Sequence, residues 1–264
     1  MSDFKNKIIW LTGASSGIGK AVMNEFLTKG AFVIISSRKE DVLNEIKNQS
    51  PYAQQLFVQK LDLADQTNYK EITKNLISKF NKIDYLINNG GISQRSEAAT
   101  TSLEVDKKIM EVNYFGNIAL TKAVLPFMQK QKSGHIITIS SIAGKFGFFL
   151  RSAYSASKHA LHGFYESLRL EEEKNNINVT IICPGKIRTN ISVNALSGDG
   201  SSHASMDDNQ ANGMSAEECA RQILKAISKN KKEVLIGNKE IKAVTLKRLF
   251  PKLFYKIIKK QKAT

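Results

Sequence analysis

Cysteine is almost missing from this 264-residue chain: only Cys183 and Cys219 occur, and neither has a Cys or His beside it at metal-ligand spacing. A disulfide framework and a zinc site are therefore not expected, and both thiols read as buried. The four histidines, His135, His159, His162 and His203, are too scattered to form a metal set. No run approaches the roughly 18 uninterrupted apolar residues that a membrane-spanning helix needs. The opening "MSDFKNKIIWLTG" leads straight into a strand pattern, with neither the apolar core nor the cleavage site of a signal peptide, so a cytoplasmic location is expected. Internal repeats are also lacking.

Acids are in short supply. Twenty-four Asp and Glu stand against 39 Lys and Arg, a formal net charge of +15. Such an excess fits nucleic acid or an anionic membrane as partner only if it is suitably placed. Between Lys239 and Lys262 there are nine Lys/Arg and one acid, so more than half of the imbalance sits in the C-terminal tail. A nucleic-acid groove would spread positive charge across a face and interleave aromatics, and no nucleic acid is expected as partner.

What is present is an alternation. Short Ile- and Val-rich runs, "KIIWLTG", "AFVIISS", "LFVQKLD", "DYLINNG", "HIITISS", "NVTIICPG" and "EVLIG", alternate with segments of helical period at about 18–29, 39–49, 65–80, 104–131, 151–174 and 215–229. The strand runs are apolar on both faces, so helices must cover the sheet on each side. Right-handed crossovers then give an α/β fold: a Rossmann-type, doubly wound, seven-stranded parallel sheet with ligands at the carboxyl ends of its strands. Residues 1–240 are expected to form one domain. Within it, 186–213 is a Ser-, Asn- and Gly-rich connection long enough to be a lid or a disordered segment, and its position after the sixth strand favours a lid. Residues 241–264 form a basic tail.

The glycine-rich "TGASSGIGK" follows the first strand and opens the first helix. Gly13, Gly17 and Gly19 thus mark a turn where backbone can approach a pyrophosphate, with free N–H groups and the positive end of the helix dipole aimed at the anion. At the end of the second strand, where an acid would bind a ribose 2′-OH, the sequence has Ser37 followed by Arg38. A cation without a repelling carboxylate suits a 2′-phosphate, so NADP(H) is preferred over NAD(H); the alternative is that Arg38 only caps the next helix. Asp62 ends the third strand, where it could receive an adenine amino group, and Asn88 ends the fourth; either could instead be a plain turn residue.

In "SAYSASKHALHGFYESLRL", Tyr154 and Lys158 are four residues apart. On a helix such positions lie on one face about 6 Å apart. A cation about 4 Å from a phenol, at an effective dielectric of ~20, is worth roughly 4 kcal/mol, or about three pKa units before desolvation, which would bring a phenol toward its working range. Ser140 and Ser141 end the fifth strand, and one of them can reach the same cleft to bind a carbonyl oxygen. Asn113 lies inside a long helix, where asparagine is a mediocre helix former and is expected to serve a polar purpose, such as holding a water that links Lys158 to solvent.

With "TGASSGIG", "NNGG", Asn113, Ser141, "YSASK" and "PGKIRT" in this order, the chain resembles the short-chain dehydrogenase/reductase family over residues 5–237. The resemblance implies a nicotinamide cofactor and a tetrad of Asn113, Ser141, Tyr154 and Lys158, with Ser141 chosen over Ser140 by the family's spacing. It also implies cofactor contacts from Ser15, Ser16, Ile18, Leu63, Gly90, Pro184, Gly185, Ile187 and Thr189, beside the glycines, Ser37, Arg38, Asp62, Asn88, Tyr154 and Lys158 already named. Lys158 would hold the nicotinamide ribose, while Ile187 and Thr189 would contact the carboxamide. Two positions depart from the family pattern: Gly90 stands where alanine is usual, and Ser16 where some NADP-dependent members carry a basic residue. The stretch 197–220 is similar to the lid of the dehydrogenase/reductase member 7 group, related to 11β-hydroxysteroid dehydrogenases.

The expected reaction is NADP-dependent interconversion of a carbonyl and a secondary alcohol, with Tyr154 as acid/base. The runner-up is a 3-oxoacyl reductase acting on a carrier protein, and a non-catalytic NADP sensor is a third reading. Phe146, Phe148, Phe149 and Leu150 are either an apolar pocket wall, implying a hydrophobic small-molecule substrate, or loop packing. His203 could touch substrate from the lid or be solvated. The tail's apolar residues recur at helical spacing between lysines, which suits an anionic membrane surface through residues 245–260, a partner subunit or the chain's own core. A homodimer or homotetramer is expected.

Overall fold

The computed structural model describes residues 4–260. Seven strands form one sheet: β1 (Ile8–Thr12), β2 (Phe32–Ser36), β3 (Leu56–Val58), β4 (Tyr85–Asn88), β5 (Gly134–Ile139), β6 (Ile177–Pro184) and β7 (Glu233–Ile236). Their order is β3-β2-β1-β4-β5-β6-β7 and every pairing is parallel. The helices are α1 (Gly17–Leu27), α2 (Glu40–Gln49), α3 (Tyr69–Phe80), α4 (Leu103–Met110), α5 (Gly116–Gln131), α6 (Ser152–Glu172), α7 (Asp208–Ala211), α8 (Ala216–Ser228), α9 (Lys242–Leu249) and α10 (Pro251–Ile258).

The strand residues divide between two cores by alternation. Ile9 and Leu11 of β1 join Phe26 of α1 and Ile223 of α8 on one face, while Ile8 and Trp10 join Leu76 of α3, Leu120 of α5 and Leu161 of α6 on the other. The change in winding direction falls between β1 and β4, and there the carboxyl ends of the strands open a cleft, as expected for a doubly wound sheet.

Two segments differ from the sequence expectation in detail. The run at 104–131 is not one regular helix: Glu111–Phe115 forms a π-helical turn between α4 and α5. Asn113 lies in that turn, where its Oδ1 accepts the Ile92 N–H at 2.8 Å and its Nδ2 donates to the Ile92 carbonyl at 2.9 Å. The Asn117 amide donates to the Asn113 carbonyl at 2.7 Å and so satisfies a backbone group in the widened turn. The 186–213 segment is also more tied down than its composition implies, because Leu196 bonds both Ser93 and Arg95 of the loop after β4 through backbone groups.

The tail settles one of its alternatives by packing. Phe254 is buried against Ile142 and Phe146, with the Phe146 and Phe254 rings at 5.0 Å in an edge-to-face arrangement. Leu249, Phe250, Leu253, Tyr255 and Ile257 remain exposed. The tail residues 261–264 lie outside the described residues.

His135 on β5 is buried, and its ring is 2.8 Å from the Thr180 hydroxyl, which donates onward to the Lys231 carbonyl. The imidazole therefore donates from Nε2 and stays neutral. Burial brings its pKa from 6.5 down to about 4. The unfolded chain binds a proton here that the folded chain refuses, so stability falls as pH drops from about 6.5 to about 4, by about 3 kcal/mol in full. Urea midpoints at neutral pH and near pH 4.5 should drop less in His135→Gln than in the parent chain, and equal drops would contradict this assignment.

Candidate active site

At the carboxyl edge of the sheet, one groove runs from the end of β2 across the glycine turn to α6. It is lined by Gly13, Ser15, Ser16, Gly17 and Ile18, by Ser37 and Arg38, by Asp62 and Leu63, by Gly90, by Ser141, Tyr154 and Lys158, and by Pro184, Gly185, Ile187 and Thr189. Three predicted residues do not line it. Gly19 lies behind the turn, where a Cβ would sit 2.2 Å from the Gly13 carbonyl oxygen, so its role is to let α1 pack on β1. Asn113 holds the Ile92 backbone from within α4–α5. Asn88 points into the core, its amide donating to Thr121 and Tyr165 hydroxyls at 2.9 Å each, because the last residue of a parallel strand still alternates between faces.

The adjacent Asn89 is the asparagine at the cleft. Its Nδ2 donates to the carbonyls of Thr12 and Gly13 at 3.0 and 3.1 Å, clamping the glycine turn to the end of β4. Strand alternation was the signal that could have distinguished the two. Gly13 itself has φ +66°, and a Cβ there would lie 2.8 Å from that amide and from the Gly90 Cα. Only glycine fits. At Gly90 an added Cβ would meet the Leu63 side-chain end at 2.5 Å, so Leu63 fills the space beside this glycine.

Anion binding at the turn has local support. The N-cap of α1, Ser16, makes no side-chain hydrogen bond to the helix, and the first helical turn contains no acid. The amides and the dipole end there thus have no internal counter-charge. A dinucleotide fits these features: bare glycines for close approach, an uncapped helix end for a pyrophosphate and, beyond it, an exposed Arg38. Asp62 is partly engaged, its Oδ1 accepting the Ala64 N–H at 3.0 Å, and Ser37 accepts the Lys39 N–H at 3.1 Å.

At the other end of the groove, Lys158 lies with its Nζ 5.7 Å from the Tyr154 ring centroid and donates to the Ile139 carbonyl at 2.8 Å. The two serines separate. Ser140 turns to α6, its Oγ 3.0 Å from His162 Nε2 and donating to the Lys158 carbonyl at 3.2 Å, whereas Ser141 reaches the phenol. Burial lowers Lys158 to about 8. Burial also pushes the Tyr154 phenol up, and the groups that pull it back down are the Ser141 hydroxyl and the guanidinium groups of Arg151 and Arg95. The Lys158 ammonium commits one of its three donors to β5 and lies against the phenol ring, and the two guanidinium groups act on the phenol beside it. Arg151 stands three residues before Tyr154 at the N-cap of α6, outside the helix, so helical spacing did not mark it. Arg95 gave no signal, since it comes from a loop far away in sequence.

Beyond Tyr154 a second hollow opens, with a volume of about 1010 Å³. Phe146, Phe148 and Phe149 form its wall, so they are both pocket and packing, and α9–α10 close it with Leu246, Leu249, Phe250 and Phe254. Tyr154 and Ser141 line both hollows. Leu150 does not line the second; it holds φ +56°, a strained conformation for leucine, at the turn that leads into Arg151. His203 bonds the Ser205 hydroxyl at 2.7 Å and lines neither hollow.

The fold also assembles His162, Cys183 and Glu233, whose ligand-type atoms lie within 4.8 Å of one another. No sequence spacing announced this group. The Lys145 ammonium sits on it, 2.6 Å from Glu233 and 3.1 Å from His162 Nδ1, and so already supplies the positive charge. Glu233 is brought down to about 2 by its hydrogen bonds with His162 and Lys145.

Comparison with known proteins agrees with this geometry. The family model described as short chain dehydrogenase matches residues 7–199. A Dehydrogenase/reductase SDR family protein 7-like of Drosophila melanogaster is 43% identical over 262 residues, 97% of this chain and 80% of its own length. Dehydrogenase/reductase SDR family member 7B of Mus musculus is 43% identical over 260 residues, 96% of this chain and 80% of its own. Among solved structures, a short-chain dehydrogenase from Streptomyces avermitilis superposes with a TM-score of 0.82 at 26% identity, covering 96% of this chain and 98% of that one.

Proposed function

Because the chain belongs to the short-chain dehydrogenase/reductase family, whose members are oxidoreductases using nicotinamide dinucleotides, we propose that it interconverts a carbonyl and a secondary alcohol on a hydrophobic small molecule with NADP(H). The observation that carries this reading is that Tyr154 stands where the polar groove meets the apolar hollow, with Lys158 against its ring. The bound nicotinamide would supply or accept the hydride. In reduction, Tyr154 donates its proton to the carbonyl oxygen while Ser141 orients that oxygen, and in oxidation the phenolate takes the proton back. Lys158 anchors the phenol's surroundings through Ile139 and would hold the cofactor ribose. Asn113 acts at a distance, fixing the Ile92 backbone beside the site. The phenylalanine wall and α9–α10 keep water from the reacting carbon.

Preference for NADP(H) rests on Arg38, exposed in the groove beside Ser37 with no carboxylate in the usual acidic position. Segment 186–213 serves as a lid over this site, as its contacts to the loop after β4 suggest. A homodimer or homotetramer is the assembly this reading expects. Among the described residues no helix is long and apolar enough to cross a membrane. The outer face of α9–α10, with Leu253 and Tyr255 exposed among Lys252, Lys256 and Lys259, suits peripheral contact with an anionic bilayer beside the mouth of the hollow.

Three outcomes test these points. Tyr154→Phe should lower NADPH-dependent reduction across a panel of hydrophobic ketones by at least about two orders of magnitude while leaving cofactor affinity unchanged; persistent turnover would mean another acid. Arg38→Asp should weaken NADPH binding by roughly 10- to 100-fold and NADH only slightly, as expected for loss of a charge-assisted contact; equal effects would remove the basis for the preference. The parent chain should co-sediment with phosphatidylserine vesicles and not with phosphatidylcholine vesicles, and Lys252→Glu with Lys256→Glu should abolish this; binding that ignores vesicle charge would contradict the surface assignment.

A further inference from the structure

Three charged side chains from distant parts of the chain meet at the hollow that Tyr154 lines, two of them on its wall. Arg95, from the loop after β4, directs Nε to both Asp207 oxygens at 3.2 and 2.9 Å and Nη2 to Oδ2 at 2.5 Å. Its remaining Nη1 donates to the Ser93 hydroxyl and the Gln94 carbonyl. Arg151, the residue just before α6, donates from Nη2 to the same Asp207 Oδ2 at 2.8 Å. The side chains of Arg95, Arg151 and Asp207 are 3%, 14% and 1% exposed, so solvent does little to screen them. Among the described side chains, two cations share one carboxylate, which gives the cluster one net positive charge on the hollow that both arginines line with Tyr154.

The carboxylate comes from the 186–213 segment and the arginines do not, so this ion cluster also fastens that segment over the site. Other charged groups near the phenol have different duties. Lys158, in α6, is tied to Ile139; Lys186, Lys239, Glu240, Lys242 and Lys259 also line the hollow, and His203 stands 3.8 Å from Asp207 on its other oxygen.

We infer that Arg151 is a positioning residue for proton transfer, holding a cation beside Tyr154, and that the lid carboxylate Asp207 both fixes this cation and attenuates it. The inference rests on Tyr154 being the acid/base, but its geometry does not depend on the substrate. It couples two events that a simple latch would leave separate: seating the lid also sets the acidity of the phenol. The downward pull of both guanidinium groups on the phenol is consistent with it.

The two partners of this ion pair predict opposite signs, which a purely structural latch cannot produce. Ionisation of Tyr154 alone can be followed as the difference in tyrosinate ultraviolet absorbance between a protein and its Tyr154→Phe counterpart, with no substrate present. Arg151→Met should move the midpoint up by about one pH unit, Arg151→Lys should restore most of that change, and Asp207→Asn should move it down. Circular dichroism confirms that each variant is folded, and either neutral variant alone gives a decisive sign. Shifts in the same direction for Arg151→Met and Asp207→Asn, or no shift in a folded variant, would overturn the inference. Because the titration needs no turnover, an inactive parent protein with the predicted shifts would instead count against the oxidoreductase reading.

Discussion

Parallel pairing of every strand is the constraint from which the site follows. It puts all seven carboxyl ends on one edge of the sheet, so residues separated by scores of positions in sequence, Gly13 after β1, Asn89 after β4, Ser141 after β5 and Pro184 at the end of β6, emerge side by side. The reversal of strand order between β1 and β4 then parts the helices that would otherwise cover that edge. Neither feature depends on any catalytic side chain. The sheet supplies the cleft, and individual residues supply its chemistry.

Burial then decides how the charges behave. Four ionisable groups at the cleft, Lys158, Tyr154, Arg95 and Arg151, are removed from water to different degrees, and desolvation penalises whichever form is charged. For Lys158 the cost appears as a pKa near 8, with its Nζ held by a strand carbonyl. For the arginines it is offset by Asp207, since an unpaired guanidinium at their depth would be strongly destabilising. A cluster of two cations and one anion is thus a compromise: enough pairing to allow burial, with one charge left for the phenol to feel.

Much of this was legible in the sequence because it rests on local pattern. The seven apolar runs mark the seven strands, and the glycine turn and the Tyr154–Lys158 spacing mark both ends of the groove. Features that failed to announce themselves depend on tertiary contact. Strand alternation, applied one residue further, would have separated Asn88 from Asn89. At the π turn the Asn113 side chain grips Ile92 across the fold, a contact that helical periodicity does not encode. Arg95, Arg151 and Asp207 meet only once the loop after β4 and the 186–213 segment have been brought together. The space beside Gly90 is filled by Leu63, a neighbour that the sequence does not reveal.

The account stands on the cleft holding a nicotinamide dinucleotide with its reactive end at Tyr154. A crystal structure of the chain with NADP bound tests that most directly. The account predicts the pyrophosphate at the N-terminus of α1 and the nicotinamide between Tyr154 and Ile187, with its ribose at the Lys158 ammonium. A dinucleotide lying in the reverse sense, or bound away from the glycine turn, would contradict it.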